Sequence, residues 1–169
     1  MLFYDRLGGA ASQSPFPNSS RYMYLTGGES YTNKTTEVLT DDGWELIEPS
    51  LPVSIIHHCM TLMNSTTVIL IGVNQNGLSQ TYILNTENDA AAWVKGPNLN
   101  NEDYPFKPVC GKIRLSQKSI KFGVIYAGFE QSTEILEDAD AQWHYGPEVP
   151  FRLVGFSLVE APLGKAYYK

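Results

Sequence analysis

The sequence predicts an all-β fold built from repeated antiparallel sheets, and three observations carry that expectation. A tryptophan with a proline-rich exit behind it is written three times: Trp44 before Pro49-Ser50-Leu51-Pro52, Trp93 before Gly96-Pro97-Asn98-Leu99, and Trp143 before Gly146-Pro147-Glu148-Val149-Pro150. The tryptophans lie 49 and 50 residues apart, and a bulky indole at one period marks a reused supersecondary unit. Each period also holds a short aromatic or β-branched run closed by glycine. Finally, 12% aromatic residues with 14 Gly and 10 Pro suit a turn-rich β protein. Periods near 50 residues made of strands point to the blades of a β-propeller.

Taken in order, residues 1–21 lack periodicity and are rich in Gly, Ser and Pro, so they read as a linker or disordered lead-in. The pattern sharpens at Tyr22-Met23-Tyr24-Leu25-Thr26, stopped by Gly27-Gly28. Its counterparts are Thr67-Val68-Ile69-Leu70-Ile71 before Gly72 and Phe122-Gly123-Val124-Ile125-Tyr126-Ala127 before Gly128. These runs are apolar almost throughout, as strands covered on both faces require. A polar loop leads to a further strand: Thr36-Glu37-Val38-Leu39, Thr81-Tyr82-Ile83-Leu84 and Thr133-Glu134-Ile135-Leu136. An acidic or polar turn and the Trp strand follow. One more strand, at 57–63, 109–116 and 155–161, separates each proline-rich exit from the next glycine strand. Four strands per period make one antiparallel blade.

With these residues the chain resembles kelch repeats. The matching features are the glycine after the second strand, the Thr-Glu-Val/Ile-Leu strand, and the Trp with Gly-Pro-x-Leu/Val behind it. The resemblance covers residues 22–169, as repeats at about 22–56, 57–108 and 109–154 with a partial one at 155–169. The double glycine survives only at Gly27-Gly28; the other copies read Gly72-Val73 and Gly128-Phe129. His58-Cys59-Met60 and Cys110-Gly111-Lys112-Ile113 are similar to strands of invertebrate kelch-like proteins. In kelch blades the strand after the proline-rich exit is innermost. The resemblance therefore implies a partial kelch β-propeller of two whole and two partial four-stranded blades. It reads as a fragment whose further blades are missing from this chain.

Composition narrows function. A formal charge of -6, with 12 scattered basic residues, argues against a nucleic-acid groove. No stretch approaches the apolar length of a membrane span, and Asp5 and Arg6 sit where a signal peptide would be apolar. His57-His58-Cys59 lacks the paired spacing of a zinc site, and neighbours on a strand point to opposite faces, so no metal or cofactor is expected. His57, His58 and His144 read as structural histidines, His144 with no acidic partner nearby. The three tryptophans read as core, each filling the gap between adjacent blades. No nucleophile elbow, phosphate loop or paired acidic motif stands out, so no enzymatic activity is expected.

Cys59 and Cys110 fall at similar positions on successive inner strands. Two buried thiols and a cross-blade disulfide are both open. Asn18, Asn33 and Asn64 each head an Asn-x-Ser/Thr glycosylation acceptor. These features favour an extracellular or secreted setting over a cytoplasmic one. The resemblance implies a binding module for a protein or peptide, using the propeller face made by loops 28–35, 73–79, 97–108, 129–132 and 147–154. Tyr104, Phe106, Phe151 and Arg152 are the leading contacts, with Tyr31 and Phe129 behind them, because aromatics and Arg anchor interfaces. The alternatives are the substrate-recognition part of a BTB-kelch ubiquitin-ligase adaptor and, behind it, an oxidase-like propeller enzyme.

Overall fold

Strands that follow one another in the chain pair with one another in space, and among the described residues this gives three four-stranded antiparallel sheets. The computed structural model describes residues 10–13, 21–27, 34–47, 50–87, 92–101, 108–115, 122–127 and 131–149. The first sheet runs β1 (Ala10–Gln13), β2 (Arg21–Thr26), β3 (Thr36–Thr40) and β4 (Gly43–Ile47). The middle sheet runs β5 (Ile55–Leu62), β6 (Thr67–Asn74), β7 (Ser79–Asn85) and β8 (Val94–Lys95). The third runs β9 (Val109–Arg114), β10 (Phe122–Ala127), β11 (Thr133–Leu136) and β12 (His144–Tyr145). Among the described residues there is no helix, and so none long and apolar enough to cross a membrane.

The registers superimpose the repeats residue on residue. Thr26 faces Thr36, Ile71 faces Thr81 and Ala127 faces Thr133, each the last strand residue before the glycine opposite the first Thr of the next strand. The first strands of the sheets lie side by side, β1 against β5 and β5 against β9. The sheets meet face to face from there outward. Strand β6 shows why its sequence does not alternate: all eight of its residues are buried. Val68 and Leu70 pack towards the first sheet, Ile69 and Ile71 towards the third. Successive side chains of one strand thus serve two separate cores.

Three expectations need correction. Residues 10–13, read within a linker, form β1 and complete the first sheet, so it has four strands and not three. Ala-Ala-Ser-Gln carries no apolar run; backbone pairing to β2 makes it a strand, and backbone pairing is available to any non-proline residue. Trp93 and Trp143 are buried, but Trp44 in β4 is half-buried. It lies on the face of the first sheet opposite the one that meets the middle sheet. His144 does have an acidic neighbour, with Glu137 Oε1 at 3.4 Å from its Nε2 on the exposed edge of the third sheet. The strand expected at 155–161 lies outside the described residues.

Candidate functional site

Two joints between sheets set the frame on which any loop is carried, and both are built around an indole. Trp93 precedes β8 yet packs against the first sheet, and its Nε1–H donates to Thr36 Oγ1 at 3.0 Å. Trp143 precedes β12, and its Nε1–H donates to Thr81 Oγ1 of the middle sheet at 3.2 Å. A buried indole N–H needs an acceptor, and the repeated Thr supplies it. The Gly-Pro after each of these tryptophans is explained by the same contact. Gly96 N–H donates to Thr81 O at 2.9 Å and Gly146 N–H to Thr133 O at 2.8 Å. A Cβ at Gly146 would stand 2.5 Å from Thr133 Oγ1, and one at Gly96 would stand 2.9 Å from Thr81 Cγ2. Only glycine lets the exit pass that closely over the Thr strand.

At the first joint a histidine crosses between sheets. Register shifts between Ile56 and Cys59, where His57 takes φ 42°, and this irregularity turns His58 into the interior. His58 Nε2–H donates to Thr26 O at 2.7 Å; a carbonyl only accepts, so this nitrogen carries the proton. Gly27, at φ +68°, leaves room for the ring, since a Cβ there would lie 2.5 Å from His58 Cε1. Gly72 makes the same allowance on the other side, beneath His58 and Ile55. His58 is thus a structural histidine, as its sequence context suggests.

At the second joint the fastening is covalent. Cys59 of β5 and Cys110 of β9 form a disulfide, with their Cα atoms 5.7 Å apart. Tyr126 adds a hydrogen bond to Ser79 across the same joint and meets Trp143 edge-on at 6.3 Å. Burial, aided by the nearby Glu134 carboxylate, pushes the Tyr126 hydroxyl well above its ordinary ionisation range.

Glu134, which sequence reasoning did not single out, is 2% exposed and holds the start of the connection from the middle to the third sheet. Its Oε2 accepts from the Asn100 backbone N–H at 2.8 Å and Nδ2 at 2.9 Å, and its Oε1 from Asn101 N–H at 2.9 Å. Asn100 Nδ2 also donates to Trp143 O at 2.8 Å. The available signal was the side-chain alternation of β11, which turns Glu134 to the same face as Leu136 and into the joint.

Strand direction fixes the end of each sheet from which the candidate loops leave. In an antiparallel four-stranded meander the turn after the second strand and the exit after the fourth lie at one end. The strand ends from which the loops at 28–35, 73–79, 129–132, 97–108 and 147–154 leave therefore lie at one end of their sheets. Tyr104, Phe106, Phe151, Arg152, Tyr31 and Phe129 lie outside the described residues, as do Asn18 and Asn33. Asn64 is described and exposed, in the β5–β6 turn at the opposite end. Its Oδ1 accepts from Thr66 N–H at 2.8 Å and from Thr66 Oγ1–H at 3.2 Å. Among the described residues no group of three or more His, Cys, Asp or Glu side chains could hold a metal ion.

The chain has no match among known families or curated relatives. No family model fits it, and no curated protein is similar enough to carry a name or an activity across.

Proposed function

We propose that this chain is a non-catalytic interaction module, part of a kelch-type propeller that holds a protein or peptide partner on the loop end of its sheets. The observation that supports this reading best is the anchoring of the longest candidate loop, 97–108. Its beginning is fastened by Glu134 to Asn100 and Asn101, and just past its end Cys110 is bonded to Cys59. Recognition loops work when a rigid frame fixes their roots, because less ordering is then needed on binding. Three antiparallel sheets with their first strands side by side support the propeller part of this reading.

An extracellular or secreted setting is the reading favoured by the disulfide, since such bonds persist in oxidising compartments. The exposed acceptor Asn64 fits that setting, and a glycan there would stand away from the loop end. The test is direct. Tyr104→Ala and Arg152→Ala are each expected to weaken binding to a partner recovered by affinity capture with the full protein, by about tenfold or more. Unchanged affinity in both variants would sink this choice of surface.

A further inference from the structure

Asn76-Gly77, in the turn between β6 and β7, is the one Asn-Gly pair in the chain. An asparagine loses its side-chain amide when the backbone nitrogen of the next residue attacks its Cγ. Three conditions govern that attack: room around the nitrogen, a carboxamide free to swing onto it, and weak hold on the nitrogen's proton.

Gly77 supplies the room, since a Cβ built there would meet nothing within 4 Å. Its φ of +79° is one that residues with a Cβ rarely adopt, so the turn favours glycine at the attacking residue. Asn76 is exposed, and its carboxamide makes no hydrogen bond among the described residues. The turn is held instead by Asn74, whose Oδ1 accepts from the N–H of Asn76 at 2.8 Å and of Leu78 at 3.2 Å. What opposes the attack is one hydrogen bond, from Gly77 N–H to Asn74 O at 3.0 Å. A bond of this kind is worth about tenfold, which slows the reaction without closing it.

No other described asparagine meets all three conditions, and every one of them precedes a residue with a Cβ. Asn64 and Asn85 each commit Oδ1 to the backbone N–H two residues on. The nitrogen after Asn85 is bonded to Thr66 O, and the one after Asn100 to Glu134 Oε1. Asn98 precedes Leu99, whose side chain is packed into the second joint.

We propose that Asn76 is a site of self-modification, converted in the folded chain to a mixture of aspartate and isoaspartate. The Gly77 nitrogen bonds to Asn76 Cγ as the Cγ–Nδ2 bond breaks, and its proton leaves with the amide as ammonia. Water then opens the ring at either carbonyl, its hydroxyl going to carbon and its hydrogen to nitrogen. Both products place a new carboxylate at the end of the middle sheet from which the candidate loops leave, and isoaspartate lengthens the turn's backbone by one carbon. The conversion does not depend on the binding role above.

Peptide mass spectrometry of the folded chain, incubated at neutral pH, is expected to show a gain of one mass unit at Asn76 ahead of every other described asparagine. Protein isoaspartyl methyltransferase should label the same peptide. Asn76→Gln should abolish both signals, because the longer side chain closes its ring far more slowly. Asn74→Ala should speed the reaction by loosening the turn, and the urea-unfolded chain should react about tenfold faster than the folded one. Protection of Asn76 in the folded chain beyond about a hundredfold, more than one hydrogen bond supplies, would overturn the proposal. So would another described asparagine reacting first.

Discussion

The joint between the first and middle sheets and the joint between the middle and third sheets share one latch and differ in nearly everything else. The first is mainly apolar: Tyr24 and Val38 meet Met60, Val68, Leu70, Tyr82 and Leu84 around Trp93, with Leu51 and Ile55 filling the connection. Besides the indole, a polar side chain crosses it at His58, which reaches Thr26 O. The second places Ile69 and Ile71 against Val124, Tyr126 and Leu136 around Trp143, and adds a disulfide and the Glu134 clamp. The exchange is visible at a single register. Where the third sheet has Glu134 holding Asn100 and Asn101, the middle sheet has Tyr82, whose hydroxyl donates to Gln80 Oε1 at 2.7 Å. The indole and its threonine are the repeated part of the joint; apolar area and polar or covalent fastening substitute for one another around them.

The largest expected effect tests the apolar joint. Trp93→Ala should cost about 3 to 5 kcal/mol of unfolding free energy, read from urea titration, because it empties the centre of that core. A loss below about 1 kcal/mol would show that the indole is not what holds the first joint. Next comes the covalent joint. Reducing the Cys59–Cys110 bond, which spans 51 residues, should cost about 4 kcal/mol in chain entropy. Hydrogen exchange should then speed up in β9 and β10 while β2 and β3 keep their protection. Equal loosening of both joints would erase the distinction drawn here.

Glu134→Gln is expected to cost about 1 to 3 kcal/mol, since it turns an acceptor into an amide facing three N–H donors. Thermal melts of the variant beside wild type measure this, and no change would remove the clamp from the account. The smallest effect at neutral pH is Tyr126→Phe, whose signature is alkaline. Burial raises the Tyr126 ionisation range above the ordinary 10.0, so its contribution is complete below pH 10. Above that pH the unfolded chain releases the proton first, and stability should fall by about 1.4 kcal/mol per pH unit until the folded hydroxyl also ionises. Urea midpoints between pH 9 and 11 should fall less steeply in the phenylalanine variant; parallel curves would refute the buried hydroxyl.

Much of this frame was legible in the sequence because it repeats. The Trp period located the sheets, and the glycine-closed runs located β2, β6 and β10, since apolar β-branched residues leave a mark of their own. Ala10–Gln13 left none, because β1 is held by backbone pairing that any sequence can make. Trp44 was misjudged for a related reason: burial depends on a neighbour sheet, and the residue itself is identical in all three positions. The pairing of Cys59 with Cys110 was open in sequence, since their similar strand positions do not fix how far neighbouring strands splay. Glu134 was hidden because its partners, Asn100 and Asn101, lie more than 30 residues away across a connection. The contacts proposed for a partner were legible only as residue types, two aromatics beside Lys107 in one loop and Phe151 beside Arg152 in another.

The bond between Cys59 and Cys110 also changes what a cut in the chain would do. The exposed turn at Gln75 and Asn76, between β6 and β7, lies inside the loop that the bond closes, and so does the edge strand β8. A protease that severs the backbone there yields two polypeptides still tied into one molecule, with the same mass in solution until a reductant is added. Cleavage at the exposed Asp41–Asp42 turn has no such safeguard, because no covalent tie among the described residues bridges it. Damage to the first sheet would release a fragment, while damage to the middle one would leave the molecule in one piece.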